Sequence, residues 1–382
     1  MSSKVQQIRN KFDERIQQQR LEASESGAEP LNHSMEQQSP VGDGNQVSQS
    51  SSSGLTEQEL DAVEERIHFK LPNDYRCSLR IHNGQRLVVP GLMGSMALSS
   101  HYRSEDLLDI DTAAGGFQQR KGLKHCLPLT FCIHTGLSQY MALAEVEGRR
   151  PSDIFYHCVD QMASDPSVVD MFITGSSFTQ WFTSYVHNVT SGAYPIIRDQ
   201  IFRYVHDERC VARTDDIIIS VSTSFLPELS SVHPPHYFFS YRIRIEMLKD
   251  ASPDHACQLD SRYWKITNQN GDVEEVQGRG VVGEFPVLRP GSVHEYTSCT
   301  TFTTPSGYME GYYTFHTFSK DKHTFNVAIP RFYMVCPPFR GSIGRQKGSS
   351  MDPSRRDEEP PADRNTLFVN LHPPLGRCPR HT

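Results

Sequence analysis

At 382 residues the chain has room for two or three domains, each large enough to bury its own core. Hydrophobic residues make up 37% and charged residues 22%, and the formal net charge of −7 excludes the basic surface of a general nucleic-acid binder. No run approaches the ~18 apolar residues that a membrane span needs. The most apolar stretch, Leu87 to Leu98, is interrupted by Pro90, Gly91 and Gly94. The first residues lack the apolar core of a secretory signal. Nine cysteines with no C-x-x-C spacing fit reduced thiols, so the expected location is cytoplasmic and nuclear. The expected partners therefore include no nucleic acid and no membrane.

In chain order, Val5, Ile8, Phe12 and Ile16 recur at helical spacing and predict a narrow amphipathic helix over residues 4 to about 20. From Ala23 to Gly54 the composition turns to Ser, Gln, Glu and Gly, which buries too little apolar surface to offset its ordering entropy; residues 1–54 are expected to be partly helical, then disordered. Order is expected to begin at Thr56 and Glu59, spaced as a capping box, with Leu60, Val63 and Ile67 on one helical face. Leu71-Pro72 ends that helix and opens a second, which Asn83-Gly84 is expected to stop. Strand character follows at 85–89, 127–134, 139–145 and 153–158. A closing helix starts near Ser177, with Phe178, Trp181, Phe182, Tyr185, Val186 and Val189 on its apolar stripe. Residues 55–190 therefore read as an α+β domain. Within it His82, His101, Cys126, Cys132 and His134 lack metal-ligand spacing and no nucleophile sits in an elbow motif, so no catalytic residue and no metal site is expected.

Residues 191–206 read as a packed connector, and 207–340 as an all-β unit. Tyr237, Phe239, Tyr241, Ile243, Ile245 and Met247 alternate with polar residues, as one half-buried antiparallel strand requires. Asn270-Gly271 marks a hairpin between 260–268 and 272–276, and further strands are expected at 314–318 and 324–329. About seven strands with regular turns predict a β-sandwich. Gly278-Arg279-Gly280-Val281-Val282-Gly283 spells G-x-G-x-x-G, yet Pro286 and Pro290 forbid the helix that a dinucleotide loop needs. Two readings stay open for these glycines. They supply positive-φ turns and close backbone approach, or their N–H groups form an anion-binding nest beside Arg279. Residues 341–382, rich in Pro, Arg and Ser, are expected to be disordered.

Two resemblances add to this reading. The stretch LPNDYRCSLRIHNGQ, residues 71–85, resembles the opening of the SUKH superfamily, and the likeness extends over 55–190. It implies a protein-binding fold without chemistry of its own. The second is more specific. The glycine loop, Pro286, Pro290-Gly291, Tyr296-Thr297-Ser298, the Gly307–Tyr313 segment and Ile329-Pro330-Arg331-Phe332 resemble the ApaG family. That resemblance implies a fibronectin-III-like sandwich and carries an idea of phosphate or pyrophosphate binding at the loop. Gly278, Arg279, Gly280, Gly283, Tyr308 and Glu310 are accordingly the candidate anion- or partner-binding residues.

A SUKH-like domain followed by an ApaG-like domain resembles one group of F-box proteins, the substrate receptors of SCF ubiquitin ligases. The resemblance implies a non-catalytic receptor, without cofactor, that binds target proteins for ubiquitination. Its SCF adaptor and cullin would be partners only if the full-length form carries an F-box. Residues 1–54 contain no Leu-Pro and no Trp, as an F-box would, and the acidic tail of that group is reduced to Asp357-Glu358-Glu359. Two alternatives remain: an F-box-less interaction module acting outside the ligase, and a phosphate- or pyrophosphate-binding protein using the glycine loop.

Overall fold

The computed structural model describes residues 51–85, 91–94, 104–117, 122–132, 136–145, 149–159, 169–197, 200–318 and 322–340. The expected helix near residues 4–20, most of the linker after it and the tail 341–382 lie outside the described residues. Within them an α+β domain precedes a β-sandwich, as the residue patterns require.

The first domain opens as its capping signal predicts. Helix α1 (Glu57–Ile67) carries a complete capping box: the Thr56 hydroxyl accepts the Glu59 N–H, and the Glu59 carboxylate accepts the Thr56 N–H. Leu60, Val63 and Ile67 are buried on its inner face. Helix α2 (Asn73–Leu79) starts after Pro72, whose fixed φ leads into the helix. Two expectations need correction here. Ser51–Ser53, placed in the linker, form strand β1, paired with β2 (His82–Gln85). Asn83-Gly84 does not stop α2, which already ends at Leu79; the pair lies inside β2. Its chemistry is spent on a tertiary contact instead. The Asn83 side-chain oxygen accepts the Ile110 N–H at 2.8 Å, and a Cβ on Gly84 would come within 2.4 Å of the Asp109 nitrogen.

Beyond β3 (Asp106–Leu107) comes α3 (Ile110–Gly115), a short helix capped by Asp109. Strands β4 (Cys126–Pro128), β5 (Thr130–Phe131), β6 (Gln139–Ala142), β7 (Ile154–Val159) and β8 (Val169–Gly175) follow. An antiparallel sheet runs β4-β6-β7-β8. Helix α4 (Phe178–Thr190), capped by Ser177, buries the predicted stripe from Phe178 to Val189. Every residue of β8 is buried, so its pattern does not alternate and no period marks it as a strand.

The connector folds as a small hairpin, β9 (Ile196–Ile197) with β10 (Gln200–Ile201). The sandwich follows. Strands β11 (Val205–Thr214), β12 (Ile217–Phe225) and β13 (Tyr237–Met247) precede β14 (Cys257–Asn268), β15 (Val273–Arg279) and β16 (Val287–Leu288). Then come β17 (Val293–Phe302), β18 (Ser306–Thr317) and β19 (Thr324–Val335). One sheet runs β11-β12-β13-β17; the other runs β15-β14-β18-β19, with β16 also on β14. Ile219, Val221, Tyr241, Ile243, Trp264, Tyr313, Phe315 and Phe332 fill the space between them.

The sandwich core extends onto one face of the first domain's sheet. Phe172 of β8 meets Phe225 of β12 edge to face, 4.9 Å between ring centres, within one buried cluster. The chain then returns: β20 (Phe339–Arg340) leaves the sandwich and pairs with β8, so the first domain's sheet ends on residues from the far end of the chain. Where the connector meets the first domain sits a buried charge pair. Arg203 Nη2 lies 2.5 Å from Glu105 Oε1, with side-chain exposures of 2% and 1%. Tyr156 donates its hydroxyl to the same carboxylate, and Thr130 Oγ1 and Gln139 Nε2 approach Oε2 at 2.7 and 3.2 Å. Burial opposes the Arg203 charge, but Glu105 and Tyr156 outweigh it and hold the guanidinium protonated.

Removing one member of such a pair strands the other charge in low dielectric. Arg203→Ala and Glu105→Gln are each expected to cost about 3–5 kcal/mol in urea unfolding, and a loss under about 1 kcal/mol would show that the pair is not structural. A second prediction concerns acid. Burial pulls the Glu64 pKa upward, but hydrogen bonds from Lys70, Arg76 and the Leu71 N–H outweigh it, and the net shift is downward. A depressed carboxyl stabilises above its unfolded pKa, near 4.5, and loses that contribution as pH falls through the lower folded value. Glu64→Gln should therefore be less stable than the parent at pH 7, with the gap closing below about pH 4 in a pH series of unfolding midpoints.

Candidate functional site

The glycine string continues β15 into a tight turn. Val281 and Glu284 exchange both backbone hydrogen bonds, at 2.9 and 2.8 Å, around Val282 (φ 48°) and Gly283 (φ 83°). Positive φ at both central residues is the type I′ geometry, whose twist suits a β-hairpin. Gly280 also has positive φ, 60°, and a Cβ there would lie 2.4 Å from the Glu284 carbonyl oxygen. Gly278 answers a different need: a Cβ would press within 3.0 Å of the Arg262 guanidinium. Arg262 Nη1 in turn donates to the carbonyls of Arg279 and Gly280 at 3.0 and 2.8 Å, tying the loop to β14.

The donors of an anion nest are partly spent in this geometry. The Gly280 N–H goes to the Asp260 carbonyl at 2.8 Å, and those of Val281 and Glu284 to each other's residues. Arg279 is exposed, its guanidinium 5.4 Å from the centre of the Phe285 ring. His294 lies 3.8 Å from Glu284; burial lowers its pKa, against the pull of Glu284 and Glu295.

Tyr308 and Glu310 form a separate group on β18. Glu310 accepts two hydrogen bonds from Arg331 of β19, at 3.0 and 3.1 Å, and the same guanidinium lies 4.4 Å over the Tyr308 ring. In the sheet Glu310 is opposite Lys265, while Gly278 is opposite Arg262, which faces Tyr313. The two groups thus stand three positions apart along β18, about 10 Å at strand rise. The structure does not bring the six candidates into one pocket. It assembles a turn at one end of the sheet and a charged aromatic cluster on its outer face.

Arg262 and Arg331 complete these groups; Arg262 carries no local motif, and Arg331 stands in the Ile329-Pro330-Arg331-Phe332 segment without being among the candidate site residues. Strand alternation would have marked Arg331 and Tyr333 as outward-facing next to Phe332 and Met334, which are buried. Arg262 is legible only from pairing register. Among the described residues no group of three or more His, Cys, Asp and Glu is placed to hold a metal ion. His233 and His236, the close histidine pair of the chain, have two prolines between them; His233 lies 3.1 Å from the buried Asp170, while the His236 ring rests against Phe238.

An α+β domain joined to a sandwich with this turn and this sheet face agrees with comparison to known proteins. Residues 54–184 match the SMI1 / KNR4 family (SUKH-1), and residues 227–317 match the ApaG domain. Protein ApaG of Beijerinckia indica subsp. indica is 45% identical over 124 residues, 32% of this chain and 91% of that protein. The chain belongs to the ApaG family. F-box only protein 3 of Homo sapiens is 75% identical over 293 residues, 76% of this chain and 62% of the human protein. The Mus musculus protein of the same name is 74% identical over 293 residues, 76% of this chain and 61% of its own length. The chain is thus a homologue of F-box only protein 3 and spans about 62% of the human protein's length.

The turn geometry makes a graded prediction. Gly283→Ala meets nothing within 4 Å and pays only positive-φ strain, about 1–2 kcal/mol. Gly280→Ala adds a backbone clash and should lose clearly more, about 3 kcal/mol in chemical denaturation. Equal losses would show that the Glu284 carbonyl does not constrain the loop.

Proposed function

We propose that this protein is a non-catalytic substrate-recognition component of an SCF-type ubiquitin ligase, binding target proteins through its sandwich and its α+β domain. The observation that carries the reading is 75% identity to F-box only protein 3 over 293 residues. The adaptor and cullin of the ligase are partners of a form that carries an F-box. Packing of the sandwich core against the first domain's sheet, where Phe172 and Phe225 share a buried cluster, supports a receptor that presents both domains together. The same reading carries a cytoplasmic and nuclear location, which the cysteine spacing supports.

The test is affinity purification of the full-length gene product beside this 382-residue chain. The full-length product is expected to co-purify adaptor, cullin and targets, and the targets should be ubiquitinated in a reconstituted reaction. Absence of adaptor and cullin from a full-length product that contains an F-box would overturn the ligase role.

A further inference from the structure

The outer face of the β15-β14-β18-β19 sheet carries a set of side chains that the core does not use. Pairing register lays them in rows across the strands. One row reads Glu275, Lys265, Glu310, with Arg331 clasping Glu310 beyond it. On one side of that row Tyr263 stands opposite Tyr312, their rings stacked at 4.9 Å and 20°. On the other side Tyr308 stands opposite Tyr333, with 5.6 Å between ring centres.

The charges alternate in sign between neighbours, so the row compensates itself and the face offers little net charge to a partner. Arg331 is fixed by both Glu310 and the Tyr308 ring, so little side-chain freedom remains to be lost on binding. Tyr333 is 60% exposed, Tyr263 and Tyr312 are half-buried with one ring face on each other, and half-buried Tyr308 has Arg331 over its ring and Tyr333 beside it. Tyr308 and Tyr312 bring further phenolic hydroxyls to the same rows. A sheet face, unlike an edge, has its main-chain groups already paired, so phenolic O–H groups are the neutral donors on offer.

We infer that this face docks a proline-rich, uncharged, extended segment of a partner protein. Such a segment lacks most backbone N–H groups and needs few acceptors, while its free carbonyls accept from tyrosine hydroxyls. Proline rings pack on aromatic faces, and the polyproline conformation loses little entropy on binding. The inference rests on the receptor reading above and names the chemistry of its target.

A fluorescently labelled oligoproline peptide titrated into the whole chain tests it by anisotropy. Saturable binding is expected, weakened at least about tenfold by Tyr308→Ala with Tyr312→Ala, and little changed by added salt. Tyr308→Phe with Tyr312→Phe keeps the rings and removes the donors; it should bind at an intermediate level, and it serves if the alanine variant unfolds. No saturable binding overturns the inference. So does equal binding of an alanine-substituted peptide, tighter binding of a lysine- or glutamate-rich peptide, or indifference to both tyrosine variants. Failure of the native chain to bind oligoproline while the full-length protein still captures targets sinks only this inference. Loss of adaptor and cullin with oligoproline binding intact sinks only the ligase reading.

Discussion

One buried carboxylate organises the packing of the connector against the first domain. Glu105 takes the Arg203 guanidinium, the Tyr156 hydroxyl, the Thr130 hydroxyl and the Gln139 amide. Gln139 extends the network, accepting from Trp181 Nε1 and Thr174 Oγ1 at 2.9 and 2.8 Å. Three strands of the first sheet, its closing helix and the connector therefore meet in one set of directed contacts. Directed contacts of this kind cost desolvation and return geometry, because a single arrangement satisfies all partners. The hydrophobic clusters on either side supply most of the cohesion; the network decides how they meet.

What the residues disclose in advance follows from how local the physics is. The capping box at Thr56, the stripe on α4 and the eleven-residue alternation of β13 are short-range patterns, and each stands where its period places it. Strand β8 is buried throughout and shows no period. The Asn83-Gly84 pair reads as a cap because its local preference is for left-handed backbone, while its role lies in a contact with Asp109 and Ile110. Glu105 and Arg203 are 98 positions apart and carry no signature of their meeting. Of the candidate site, the turn at Gly280 and Gly283 was legible from glycine and proline placement. Its separation from Tyr308 and Glu310 required the register of β14 and β18.

The sandwich divides its labour between loop and face. The Asn270-Gly271 turn closes the β14–β15 hairpin and sets its register, while Arg262 ties the open end of that hairpin to the type I′ turn. Register in turn decides which charges stand opposite which, so the order Glu275, Lys265, Glu310 depends on a turn that is not part of that row. Val282, β-branched and 62% exposed at φ 48°, is a residue that would not choose this conformation alone. The closed pair of hydrogen bonds between Val281 and Glu284 holds it there.

The return of β20 to β8 has a consequence during synthesis. Phe339 pairs with Phe172, so the free edge of the first sheet stays uncovered until the sandwich has left the ribosome. At ordinary elongation rates that is roughly ten to thirty seconds. For that interval a strand whose residues are all buried in the finished fold presents unpaired main-chain groups, a state prone to pairing with a neighbouring nascent chain. The first domain is complete in sequence long before it is complete in space.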